Sequence, residues 1–147
     1  MDHIFEKTKL YTALWRETNA LYADWARSRG LSYYELLVIL SLTGAGSCCT
    51  QKEICRTWQL PKQTVNTILR SLTERALVEL SPAPEDRRNK IISLTPEGGK
   101  ALGRIAADLQ AHECAAWKRM GDGLGDQLIE AMMRFNQFFQ EAGNENL

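Results

Sequence analysis

Hydrogen-bonding side chains share one face of a helix that the sequence predicts over about Lys62–Arg75. The opposite face is apolar and carries Val65, Ile68, Leu69 and Leu72. Amide, hydroxyl and guanidinium groups are the groups that bond base edges and phosphates in duplex DNA. The candidate contact residues are Lys62, Gln63, Thr64, Asn66, Thr67 and Arg70. A solvated helix in an all-α bundle would show the same pattern, so this helix alone leaves both interpretations open.

A second cationic group follows at Asp86, Arg87 and Arg88. It lies in a polar, proline-bearing segment between two short apolar runs, 77–81 and 90–94, which predict a β-hairpin with a long tip. Arginines at such a tip suit the negative potential of a narrow minor groove, and the neighbouring carboxylate can orient one of them. Arginines at exposed tips are often merely solvated. Their coincidence with the polar helix favours nucleic-acid binding.

The distribution of charge along the chain also favours nucleic-acid binding by this region. The chain has 147 residues with 18 basic and 18 acidic side chains, so its net charge is zero. Residues 50–100 carry nine basic and six acidic side chains, a local excess of three positive charges. Because salt screens distant charges, a local basic surface can bind phosphates although the total charge vanishes.

Other chemistry has weaker support in the sequence. The four cysteines, at 48, 49, 55 and 114, lack C-x-x-C spacing, so we expect free thiols, no metal site and no cofactor. Cys49 precedes a helix start that could lower its thiol pKa, although a buried inert cysteine is the commoner case. The sequence shows neither a nucleophile–base pair nor a phosphate-binding glycine loop. We therefore expect no catalytic residues and no enzyme.

The elements that position these groups can be predicted from capping signals. A helix is expected over Ile4–Ser28, where Tyr11, Trp15, Tyr22 and Trp25 form an aromatic stripe suited to a core, a subunit interface or a ligand cavity. Capping boxes at 32–35 and 50–53 start the next two helices, and Pro61 suits the first turn of a fourth. After the hairpin, a long helix begins at Thr95-Pro96 and a last one spans about 126–141. This order predicts a winged helix-turn-helix in a mostly α fold with a small β-hairpin.

Length and composition place the chain in one broad class. A chain of this length with 44% apolar residues suits a single globular domain over 1–147. The N-terminus lacks a basic and an apolar signal region, and no apolar run approaches a membrane span. We expect a cytoplasmic protein with no membrane partner.

Residues 31–98 resemble the multiple-antibiotic-resistance regulator (MarR) family of bacterial transcription factors. The matching segments are Thr50–Ile54, Leu60–Leu72, Leu77–Glu79, Asp86–Arg88 and Ser93–Thr95 with Gly98. The resemblance implies a winged-helix DNA-binding lobe over 31–98 and dimerisation helices over 1–29 and 99–147. It also implies that Lys62–Arg70 enters the major groove and that Arg88 reaches the minor groove.

The chain departs from the family pattern at three places. Ala76 replaces a helix-ending glycine, and because alanine is strained in a left-handed conformation we expect a tighter or differently shaped turn there. Leu80 replaces a basic residue and removes one phosphate contact. Residues 1–29 contain no cysteine, which argues against the thiol mechanism of the family's peroxide sensors.

The sequence thus predicts a homodimeric regulator that binds a pseudo-palindromic operator on double-stranded DNA. By resemblance, it is a repressor released by a small-molecule effector. Two alternatives stay open at this point: a thiol-based redox regulator, and a winged-helix module that binds protein without binding DNA.

Overall fold

The computed structural model describes residues 2–44, 48–86 and 88–144. Within them lie six helices and three short strands. In chain order these are α1 (Asp2–Arg27), α2 (Tyr33–Gly44), β1 (Cys48–Thr50), α3 (Gln51–Trp58), α4 (Lys62–Glu74), β2 (Val78–Pro82), β3 (Lys90–Leu94), α5 (Pro96–Met120) and α6 (Asp122–Asn144). The chain therefore has the predicted winged-helix order, in which two helices of a helix-turn-helix precede a β-hairpin.

The predicted capping boxes start α2 and α3. The Ser32 backbone N–H donates to Glu35 Oε2 at 2.6 Å, and the Glu35 N–H donates to Ser32 Oγ at 3.1 Å. Thr50 and Glu53 make the same reciprocal pair at 2.7 and 3.2 Å. Both boxes satisfy backbone donors that a helix start would otherwise leave open. The proline prediction was wrong by one position, because Pro61 is the N-cap that precedes α4 and lies outside its first turn.

The sheet has one strand more than the predicted hairpin. β2 and β3 pair antiparallel from Val78 opposite Leu94 to Pro82 opposite Lys90. The additional strand, β1, pairs antiparallel with the other edge of β3, so the order is β1-β3-β2. Three residues are too few for a periodic pattern, and their partner lies more than 40 residues away in the chain.

The core of the winged helix lies under α2, α3, α4 and the sheet. Its side chains are apolar and almost completely buried. The buried cluster is Leu37, Val38, Ile39, Leu42, Cys49, Ile54, Leu60, Val65, Ile68, Leu69, Leu72, Leu77, Val78, Ile92 and Leu102. The four apolar residues predicted for the inner face of α4 all belong to it.

The turn from α4 to β2 keeps a left-handed residue although glycine is absent. Ala76 has φ +54°, so the expectation of a differently shaped turn was wrong. The Thr95 hydroxyl donates to the Ala76 carbonyl oxygen at 2.7 Å and accepts from the Gly98 N–H at 2.9 Å. The start of α5 is thereby fixed against this turn, which compensates part of the local strain.

The last helix begins earlier than the glycines suggested. α6 starts at Asp122, four residues before the predicted start at 126, and Gly123 and Gly125 lie inside it. A Cβ on Gly125 would stand 3.3 Å from the Trp117 ring, so the glycine permits close packing there. Gly121, with φ +78°, separates α5 from α6.

Contacts divide the chain into two compact units, Met1–Ala106 and Ala107–Leu147. In the first unit, α1 exposes large apolar side chains: Ile4, Phe5, Leu10, Leu14, Trp15 and Leu21. In the second unit, α6 exposes Leu124, Leu128, Ile129, Met132, Met133, Phe135, Phe138 and Phe139. No helix in the described ranges combines the length and apolar character needed to cross a bilayer.

Candidate nucleic-acid interface

The helix-turn-helix is held by contacts along and between its helices. Gln59 ends α3 in a left-handed conformation with φ +53°, and the next residue, Leu60, donates its N–H back to the Cys55 carbonyl at 3.0 Å. The Gln51 side-chain amide donates to the Lys62 carbonyl oxygen at 3.2 Å, which joins the first turns of α3 and α4. These bonds fix the direction in which α4 leaves the turn.

The outer face of α4 displays most of the predicted contact residues. Lys62, Gln63, Asn66, Thr67 and Arg70 are exposed, whereas Thr64 is half-buried. The Thr67 hydroxyl donates to the Gln63 carbonyl oxygen at 3.0 Å, so its proton is used inside the helix. Its oxygen can still accept a hydrogen bond. Lysine, amide and guanidinium donors therefore dominate this face.

A cleft of about 720 Å³ separates α4 from the hairpin, which we call the wing. Five predicted contact residues line it: Lys62, Asn66 and Arg70 from α4, and Asp86 and Arg88 from the wing. Gln63, Thr64 and Thr67 are absent from its lining, and Arg87 lies outside the described residues.

The cleft also contains polar residues that sequence reasoning missed. Gln51 and Lys52 come from α3, and Asn89 and Lys90 come from the end of the wing loop. The positive excess of residues 50–100 was the available signal, but it did not distinguish one lysine from another. Only the antiparallel return of β3 brings Lys90 opposite α4.

The wing tip is braced by Asp86 in an unexpected way. Its Oδ1 accepts the backbone N–H of Arg88 at 2.9 Å, and its backbone oxygen accepts the N–H of Asn89 at 2.9 Å. The Ala83 N–H also donates to the Asn89 carbonyl oxygen at 2.9 Å. The expected carboxylate–guanidinium orientation was therefore wrong for Arg88. Asp86 shapes the backbone, and the Arg88 side chain stays exposed and available.

The cleft has a positive electrostatic character. It carries the exposed cations Lys52, Lys62, Arg70, Arg88 and Lys90 against two carboxylates, Glu74 and Asp86. The ion pairs found in residues 2–44, 48–86 and 88–144 all lie on α1 and α6 and leave these five cations unpaired. Unpaired cations along one cleft are available to a polyanion.

The capping box of α3 contains an acidic residue, Glu53. The Thr50 backbone N–H and hydroxyl donate to Glu53, which lowers the pKa of this carboxyl below its ordinary value. Glu53 therefore stays ionised at neutral pH and serves the helix start. It is not among the residues that line the cleft.

The cysteines occupy different environments. Cys49 is buried, in line with the inert interpretation, while Cys114 is exposed and Cys55 is half-buried in the cleft lining. The side chain of Cys48 lies outside the described part of the structure. Among the described residues, no group of three or more His, Cys, Asp or Glu side chains could hold a metal ion.

Comparison with known proteins gives a family match over part of the chain and structural matches over most of it. Residues 29–89 match the model of the MarR family. A MarR family regulator from Neisseria meningitidis is 26% identical with a TM-score of 0.77, over 97% of this chain and 99% of that one. A Staphylococcus aureus MarR in complex with salicylate and kanamycin is 20% identical with a TM-score of 0.71, over 92% and 91% of the two chains.

A third solved structure has the same fold at lower identity. Bordetella bronchiseptica BpsR, whose DNA binding is regulated by 6-hydroxynicotinic acid, is 16% identical with a TM-score of 0.67, over 88% of this chain and 91% of that one. No curated protein matches the chain.

Proposed function

We propose that this chain is a transcription regulator of the MarR family, whose model matches residues 29–89, and that it binds a pseudo-palindromic DNA operator as a homodimer. The observation that carries the proposal is the row of unpaired cations along the cleft beside the polar face of α4. A duplex supplies the matching phosphates, and their contacts fix the register of the protein on DNA.

In this proposal α4 enters the major groove and reads base edges. Asn66 and Gln63 offer an amide donor and acceptor each, the groups that pair with adenine, while Arg70 and Lys62 suit guanine or phosphate. Thr64 and Thr67 are placed at the edge of this contact, where a hydroxyl accepts from or donates to either partner. Two copies of α4 in a dimer read two half-sites about one helical turn apart.

The wing is proposed to insert Arg88 into the adjacent minor groove. Asp86 Oδ1 accepts the Arg88 N–H, which fixes the backbone from which the guanidinium extends. Arg87, the neighbouring cation in the sequence, is proposed to contribute to the same contact. A narrow minor groove concentrates negative potential and stabilises such an arginine.

We further propose that the protein acts as a repressor whose DNA affinity is lowered by a small-molecule effector. Two of the similar structures are a MarR in complex with salicylate and kanamycin and BpsR, regulated by 6-hydroxynicotinic acid. Occlusion of a promoter by the bound dimer would then end when the effector binds.

The wing contact is tested by the salt dependence of duplex binding. Arg88→Ala should weaken binding to specific and random duplexes alike, and should lower the slope of log affinity against log salt by about one unit per dimer arm. Fluorescence anisotropy on a fragment obtained by genomic binding-site selection measures both quantities.

The matched control is Arg104→Ala, which removes an exposed arginine of α5 outside the cleft and should leave the slope unchanged. An Arg88→Ala protein with unchanged affinity and slope would show that the wing does not touch DNA. Failure of the wild-type protein to bind any duplex would reject the regulator function and favour the protein-binding module.

A further inference from the structure

We propose that Trp58 is a positioning residue that fixes the helix-turn-helix to α2 and thereby sets the half-site spacing that the dimer accepts. The inference deepens the proposed function and rests on it, because half-site spacing has a meaning only for a homodimer that binds duplex DNA.

The first observation is a chain of two hydrogen bonds between α3 and α2. Trp58 is the last residue of α3, and its indole N–H donates to Ser41 Oγ on α2 at 2.7 Å. The Ser41 hydroxyl donates in turn to the Leu37 carbonyl oxygen at 3.2 Å. An indole can only donate and a hydroxyl has one proton, so the two bonds form together without competition. The side chain of Trp58 is thus joined to the backbone of α2.

The second observation is that the indole is not a core residue. Trp58 has 36% of its surface exposed and lies outside the buried cluster of the winged helix. In that cluster α2, α3 and α4 meet through apolar side chains such as Val38, Ile54 and Leu69. Apolar contacts have no preferred direction, whereas a hydrogen bond weakens when its angle changes. The bond from Trp58 to Ser41 therefore fixes an angle that packing alone leaves adjustable.

The third observation is that the other end of α3 is also attached. The Gln51 side-chain amide donates to the Lys62 carbonyl oxygen at 3.2 Å, which joins the start of α3 to the start of α4. Because α3 is a short, regular helix, attachment at both ends determines its direction. The orientation of α2 is thereby passed through α3 to α4.

α2 also connects the helix-turn-helix to α1. The Leu31 N–H donates to the Ala26 carbonyl oxygen at 3.1 Å, and the Tyr33 hydroxyl donates to Asn19 Oδ1 at 3.4 Å. α1 exposes large apolar side chains that suit a dimer interface. In the proposed homodimer, the separation of the two α4 helices therefore depends on the angle between each helix-turn-helix and its α2. A separation fixed before binding lowers the cost of ordering the protein on DNA.

The test compares the wild-type protein with Trp58→Phe, which keeps an aromatic ring and removes the N–H donor. Fluorescence anisotropy is measured on the selected operator, on the same operator with one base pair inserted between the half-sites, and on a random duplex. The insertion moves one half-site by about 3.4 Å and turns it about the duplex axis. Trp58→Phe should bind the operator about fivefold more weakly, the effect of one hydrogen bond. Its affinity for the other two duplexes should be unchanged, so its discrimination against the insertion falls about fivefold.

Further variants separate the bond from general destabilisation. Ser41→Ala removes the acceptor and should reproduce the loss of discrimination, and the double variant should lose no more, since both changes remove one bond. Ser41→Thr keeps the hydroxyl and should keep the wild-type discrimination. Tyr34→Phe, which removes an exposed hydroxyl from α2, is the matched control and should change none of the three affinities.

The bond is also measured without DNA, by hydrogen exchange of the indole N–H in NMR spectra. The Trp58 signal is the one absent from Trp58→Phe, and it should exchange faster in Ser41→Ala than in the wild-type protein. Equal exchange in the two proteins would overturn the inference. Unchanged discrimination in Trp58→Phe and Ser41→Ala, or equal losses on all three duplexes, would also overturn it while leaving the DNA-binding function intact. A wild-type protein that binds no duplex would reject the proposed function and this inference with it.

Discussion

Ala76 is a residue whose backbone conformation costs stability. Its φ of +54° is unfavourable for a side chain with a Cβ, by roughly 1–2 kcal/mol. Glycine relieves this strain but gains freedom in the unfolded chain, which offsets part of the benefit. We expect Ala76→Gly to raise the free energy of unfolding by about 0.5–1 kcal/mol, measured by urea denaturation.

The control for this prediction uses the same substitution in a helix. Ala101 is exposed within α5, where glycine lowers helix stability. Ala101→Gly should therefore lower the free energy of unfolding by about 0.5–1 kcal/mol. Equal effects at both positions would show that the left-handed conformation of Ala76 carries no strain.

Gly98 is required for a different reason, the close approach of two backbone segments. A Cβ at Gly98 would lie 1.8 Å from the Leu77 carbonyl oxygen, which itself accepts the Thr95 N–H. The backbone cannot retreat without losing that bond, so Gly98→Ala should destabilise the fold by about 2–3 kcal/mol.

Gly103 provides the comparison in the same helix. A Cβ there meets nothing within 4 Å, and Gly103→Ala should raise stability by about 0.5–1 kcal/mol through helix propensity. Thermal unfolding of the two variants gives shifts of opposite sign. A mild effect of Gly98→Ala would mean that the α4–β2 turn and α5 can separate at little cost.

At the scale of elements, α4 is the helix proposed to read base sequence. Asn66 is exposed and lines the cleft, while Val65 and Leu69 on the inner face of the helix are buried. Asn66→Ala should cost about 1–3 kcal/mol on the selected operator and relax the preference at one base step. Binding-site selection with the variant identifies that step.

Thr73→Ala is the matched control, because it changes another α4 residue of the cleft lining whose hydroxyl donates to the Leu69 carbonyl at 2.8 Å. It should not change base preference, since that donor is already used within the helix. Equal losses on operator and random duplex for Asn66→Ala would show that Asn66 binds DNA without reading it.

Elements were predictable where their signals are local. The capping boxes at 32–35 and 50–53 are each contained in four residues, and both form as predicted. β1 was not predicted because its own three residues carry no strand pattern. It is recognised only from its pairing with β3. The start of α6 was misplaced because Gly125 reads as a helix breaker until the Trp117 ring beside it is known.

The candidate site was predictable to the same extent. The amphipathic pattern of α4 identified its outer face, since side-chain period follows from helix geometry. The role of Asp86 was mistaken because a spacing of two residues suits both a guanidinium contact and the observed bond to the Arg88 N–H. Residues of the cleft from other elements, such as Lys52 and Lys90, required the tertiary fold.

For the whole molecule, the exposed apolar residues bear on assembly. α1 exposes Trp15 and Leu21, and α6 exposes Phe139 to 72% of its surface. Separate large apolar patches of this kind usually mark interfaces. The proposed homodimer predicts twice the 16.7 kDa of one chain in sedimentation at micromolar concentration.

Replacing an exposed apolar residue of α6 with a charged one tests whether this surface forms the dimer interface. Phe135→Asp should shift the protein towards the monomer, whereas Lys62→Asp, a charge change in the cleft, should leave the mass unchanged. A stable wild-type monomer would contradict the homodimer and, with it, a two-fold operator.

The central position of β3 makes the wing part of a stiff mechanical unit. A force on the wing tip is transmitted through the hydrogen bonds that join β3 to β2 on one side and to β1 on the other. β1 runs directly into Thr50, the cap of α3, and α3 is bonded to the first turn of α4 through Gln51. The tip and α4 therefore cannot slide past each other without rupturing ladder bonds. The distance between the wing and α4 is therefore fixed by the fold. A duplex that contacts both elements must adjust its own groove widths to fit this distance.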